Sequence, residues 1–82
     1  MYLDPGSPGP NEFHVILPAP PSVTPRVTAM HEGGAPQRLR QFSLSTGHYV
    51  DLVTLTPGTW HFSVTTGFHH RSVTFAVSRT VQ

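Results

Sequence analysis

The chain has 82 residues, no cysteine, a formal net charge of +1 and only 11% charged residues. These totals exclude a disulfide scaffold, a thiolate metal site and a strongly basic surface for nucleic acid or acidic lipid. A chain this short buries only about 60–65% of the surface it exposes when unfolded, so one small core of modest stability is expected.

Residues 1–11 hold three prolines and two glycines and almost nothing apolar. They read as a linker or arm of extended, polyproline-like character ahead of a single domain over 12–82. The opening "MYLDPGSPGP" lacks the basic-then-apolar layout of a signal peptide. No apolar run is long enough to cross a bilayer, so no direct membrane insertion by this segment is expected.

From Glu12 onward the texture changes to short segments rich in Val, Thr, Phe and Leu, separated by Pro and Gly. Six segments read as strands: "EFHVIL" (12–17), "SVTPRVTAM" (22–30), "RLRQFSL" (38–44), "HYVDLVTL" (48–55), "TWHFSVTT" (59–66) and "SVTFAV" (72–77). The connections "PAPP", "HEGGAP", "STG", "TPG" and "TGFHH" carry turn chemistry. Nowhere does a helical period persist free of breakers. The expected fold is all-β, a small antiparallel immunoglobulin-like β-sandwich of six to seven strands.

Side-chain alternation assigns the faces. Phe13, Val15 and Leu17 point inward and His14 outward in the first segment. Val27 and Ala29 add to the core from the second, where Pro25 predicts an edge position or a bulge. Phe42 and Leu44 are expected inside, and Arg38 and Arg40 share one face of their strand, where they are expected to solvate it. Tyr49, Val53 and Leu55 continue the core, although Asp51 falls on their side. Trp60, Phe62 and Val64 face in, with His61 facing out, and Val73, Phe75 and Val77 are expected to point into the core. A buried Trp60 requires an acceptor for its indole N–H.

The six histidines are the chain's reserve of positive charge, worth about +6 on full protonation. If successive strands alternate up and down, His48, His69 and His70 gather at one end of the domain. His14, Met30, His31 and His61 gather at the other. His61 lies on the order of 17 Å from the "FHH" turn at strand rise, too far to share an ion with it. The first candidate metal set is therefore His14, Met30, His31 and His61, whose imidazoles and thioether suit copper. The second is His48, His69 and His70, three imidazoles for Cu(II), Zn(II) or Ni(II). The plainer alternative for both is polar surface positions and an exposed hairpin tip.

Nothing points to catalysis. Asp4, Glu12, Glu32 and Asp51 are expected to offer no close pair for acid/base work, and no nucleophile elbow, phosphate loop or stacked basic groove is present. The chain is expected not to be an enzyme and not to bind nucleic acid.

Two landmarks, "PGSPGPNEFHVIL" (5–17) and "STGHYVDLVTLTPGTWHFSV" (45–64), resemble small extracytoplasmic domains of the YtkA type. That group includes the immunoglobulin-like domain at the C-terminus of CopD copper-resistance proteins. Gly47, Tyr49, Pro57, Gly58 and Trp60 match as structural positions, with Pro57-Gly58 as a tight corner and Trp60 as a core plug. The resemblance implies an extracytoplasmic, membrane-tethered domain. Its partner would be a membrane-embedded copper transporter or assembly protein, in the same polypeptide or beside it, with copper as the cofactor. The related CopC carriers use a histidine at the mature N-terminus, whereas this chain begins "MYLD", so no copper ligand carries over. The alternative is a metal-independent protein-interaction or spacer module.

Overall fold

A computed structural model describes residues 1–18 and 21–82; part of the turn expected over 18–21 lies outside the described residues. The strands are β1 (Tyr2–Asp4), β2 (Gly9–Ile16), β3 (Val23–His31), β4 (Gln37–Arg38), β5 (Arg40–Ser45), β6 (His48–Leu55), β7 (Gly58–Phe68) and β8 (Arg71–Val81). They form two four-stranded sheets, ordered β1-β2-β6-β5 and β4-β3-β7-β8. Every pairing is antiparallel. The fold is all-β, two sheets facing each other across one core.

Alternation builds that core. Phe13, Val15 and Leu17 meet Val27, Ala29, Trp60, Phe62 and Val64 from the opposite sheet. The rings of Phe13 and Phe62 stack at 4.4 Å and join the two layers. Burial of each contributes about 1.5–3 kcal/mol. The Trp60 indole donates to the Thr56 carbonyl at 2.8 Å, which supplies the acceptor its burial requires. Pro25 sits where the β3–β7 register shifts between Val23 and Arg26. The missing N–H falls at this irregularity, beyond the reach of the two-residue β4.

Three expectations differ from the structure, each for a physical reason. The segment 1–11 is built into the first sheet: Leu3 pairs with Phe13, and β2 already begins at Gly9. The Asn11 side chain ties down the intervening loop, donating to the carbonyls of Ser7 and Gly9 and accepting from the Gly6 N–H. The segment 38–44 is not one strand. It leaves the second sheet at Leu39, which is buried and donates its N–H to the Val27 carbonyl, and enters the first sheet at Arg40. Arg38 and Arg40 therefore belong to different sheets. The same switch reverses the inside and outside of β5, so Phe42 and Leu44 are exposed instead of buried. In β8, Val73 and Val77 are half-buried and Phe75 is exposed, because β8 is an edge strand and the facing edge strand, β1, has only three residues.

Candidate functional site

The outer face of the first sheet carries a close group of polar side chains, Asp4, Glu12 and His14. Register sets Asp4 beside Glu12 and Tyr2 beside His14. It also sets His14 beside Val50 and Ile16 beside His48. Side chains two residues apart on a strand share a face, so Glu12 and His14 project together between the two neighbouring strands.

His14 is buried although it points away from the core. The Tyr2 ring stacks on it at 4.4 Å, nearly parallel. His14 Nδ1 lies 2.9 Å from His48 Nε2, and its Nε2 lies 3.1 Å from Glu12 Oε1. The imidazole is thus clamped on its face and at both nitrogens. Asp4, Glu12 and His14 each bring a donor atom within 4.8 Å of the others. The two carboxylates are a close pair after all, because pairing of β1 with β2 joins residues that the sequence separates.

The two histidine groups expected from the sequence are rearranged. His14 is in the first sheet and meets His48, which had been expected at the opposite end. It does not join Met30, His31 and His61, which lie in the second sheet. Met30 and His61 are register partners there, and His61 Nδ1 lies 2.8 Å from Ser78 Oγ. His31 takes the opposite parity in β3. Its ring packs against Trp60 at 5.0 Å, and its Nε2 donates to the Pro57 carbonyl at 3.0 Å. Gly58, at φ +125°, leaves room for this contact, since a Cβ there would sit 2.5 Å from His31 Nε2. The imidazole of His31 supports the Pro57-Gly58 corner.

His69 and His70 form the two-residue connection between β7 and β8, at φ 48° and 64°. Both are exposed and left-handed. A two-residue hairpin of type I′ needs positive φ at both positions, and histidine tolerates that region better than most residues. They shape the turn and are in no metal-ligating group among the described residues.

A groove of about 420 Å³ borders the group at Asp4, Glu12 and Leu52, and two further concave surfaces lie apart from it. A groove of about 440 Å³ runs past Arg26, Arg38, Thr65 and Ser72 on the second sheet. A cleft of about 270 Å³ opens beside Pro25, Gln41 and Asp51. Asp51 is fully buried, and burial pushes its carboxyl up from 3.8 to about 7.

No family model, curated protein or solved structure matches this chain.

Chemically, the outer-face group offers one fixed imidazole and two carboxylates. Such a nitrogen and oxygen set suits a borderline divalent ion, whereas Cu(I) prefers thioether or thiolate. The chain's internal methionine, Met30, is in the other sheet. His48 is placed to hold the second nitrogen of His14, as the outer partner of a ligating histidine does.

Proposed function

We propose that this chain is a non-enzymatic immunoglobulin-like module that binds Zn²⁺ or Cu²⁺ through His14 Nε2, Glu12 and Asp4. The observation that carries this reading is the clamped ring of His14, with Nε2 turned toward Glu12 and Nδ1 held by His48. An ion at Nε2 displaces a proton there. Nδ1 then carries the proton of the neutral ring and donates to His48, so the His14–His48 hydrogen bond is set in one direction.

The strand order supports the immunoglobulin-like part. The sheet β1-β2-β6-β5 has the arrangement of strands A, B, E and D, and β3, β7 and β8 that of C, F and G. Trp60 lies on the strand in position F, whereas antibody domains carry their core tryptophan on C. The YtkA-type resemblance supports an extracytoplasmic setting beside a membrane-embedded copper-handling or assembly protein, for which Cu²⁺ is the relevant ion.

The test is titration of metal-free protein with Zn²⁺ and Cu²⁺, with Zn²⁺ followed through the ¹⁵N signals of the imidazoles. Binding in the micromolar range is expected, with Zn²⁺ on His14 Nε2 and a tautomer change at His48. His14→Ala should abolish binding and His61→Ala should not. Absence of binding, or coordination at His61, His69 or His70, overturns the reading.

A further inference from the structure

The outer face of the first sheet has a second property, independent of any metal. Its cross-strand rows can be read directly from the register. One row runs Asp4, Glu12, Leu52, Arg40, and the next runs Tyr2, His14, Val50, Phe42. The first row is acidic at the β1 side and basic at the β5 side, with an apolar residue between. The second is aromatic at both ends. Tyr2, Ile16, Phe42, Leu44 and Leu52 are each between 44 and 61% exposed on or beside these rows. Five large apolar side chains on one face of so small a domain are more than scattered surface hydrophobics require.

From this pattern we infer that the outer face of the first sheet is a homodimer interface, two copies packing face to face about a two-fold axis parallel to the strands. That axis sets β1 of one copy against β5 of the other and β2 against β6. Asp4 then meets Arg40 of the second copy, and Tyr2 meets Phe42, each contact occurring twice as an isologous interface demands. Arg40 is already held over the face, its guanidinium 5.2 Å from the centre of the Phe42 ring. A two-fold across the strands sets β5 against β5 and leaves Arg40 without an acid. Charge thus selects one orientation of the pair.

The size is adequate. The molecule measures 37 × 24 × 17 Å, and its broad face matches the roughly 800 Å² that each partner gives to a standard interface. Sheets stacked in this way pack with their strands nearly aligned. This inference does not rest on the metal reading, because the face is self-complementary without an ion.

The experiment is sedimentation of the full chain in EDTA over a wide concentration range, with wild type compared to Arg40→Glu and Asp4→Arg. Wild type should pass from monomer to dimer. Each variant alone brings like charges together twice and should dimerise at least roughly tenfold more weakly. An equimolar mixture of the two variants restores both ion pairs and should recover the dimer. Recovery also shows that both variants are folded. A wild type that stays monomeric at millimolar concentration overturns the inference, and so does a mixture that stays monomeric. A dimer that survives both inversions lies elsewhere, at the free edge of β8 for instance, and overturns it as well.

Discussion

Asp51 and His14 sit on adjacent strands of the same sheet, one step out of phase. Asp51 is the register partner of Phe13, and His14 that of Val50. Both are buried polar residues, yet their surroundings are opposite. His14 faces outward under Tyr2, and both its nitrogens have partners. Asp51 faces the core, and neither of its carboxyl oxygens has a hydrogen-bond partner among the described residues. Its register partner Gln41 directs its Nε2 to the Pro25 carbonyl instead. Burial by itself therefore does not mark a functional residue. A partnered imidazole can exchange a proton for an ion, whereas an orphaned carboxyl moves toward its neutral form.

The largest test of this contrast is Asp51→Asn. The carboxyl titrates at 3.8 in its ordinary environment and at about 7 in the fold. Between those values the native state holds a proton that the unfolded state has released, so stability falls as pH rises. The loss from this group is complete above pH 7 and is about 4 kcal/mol. That is a large share of what a small domain possesses. Asp51→Asn should remove most of the loss, so it should be the more stable protein at neutral pH and close to wild type near pH 4. Urea unfolding at both pH values checks this. Parallel pH profiles for the two proteins would break the contrast, since Asp51 would then have found a partner.

His14→Ala comes next and has the opposite sign. It removes the stack on Tyr2 and two hydrogen bonds, and leaves Asp4 beside Glu12 with no imidazole between them. A destabilisation of about 2–3 kcal/mol is expected by urea unfolding of the metal-free protein. His48→Ala removes one hydrogen bond and should cost about 1 kcal/mol. It should nevertheless weaken metal binding by about 10–100-fold, the usual effect of losing the outer partner of a ligating histidine.

The strands were legible because the segments around Phe13, Val27, Val53 and Phe62 place apolar residues at every second position between turn signals, Asp51 being the exception. The site was not, because strand order is absent from a chain's local pattern. A map of alternating up and down strands placed His14 and His48 at opposite ends. In the sheet, β2 lies directly beside β6, and His14 is far enough along β2 to reach His48 diagonally. The Asp4–Glu12 pair was hidden by three prolines that read as a linker. The sequence clue to a folded loop was Asn11, whose side chain satisfies the backbone of 6–9. The misplacement of Phe42 and Leu44 has a single cause. Leu39 takes the core position at the sheet switch, and no residue of the run 38–44 announces that switch.

The smallest predicted effect decides which histidines matter. His61 shares an outer row with Met30 and Ser78 on the second sheet, the arrangement closest to a His/Met copper pair. Its side-chain hydrogen bond with Ser78 is at the surface, where such a bond contributes little. His61→Ala should change stability by no more than about 0.5 kcal/mol and leave Zn²⁺ and Cu²⁺ affinity as in wild type. An imidazole with one solvent-exposed partner pays rotamer entropy to hold an ion, whereas the ring of His14 is already immobilised by Tyr2, His48 and Glu12. A Cu²⁺ titration of His61→Ala beside His14→Ala therefore separates a histidine that is merely present from one held in place for a ligand.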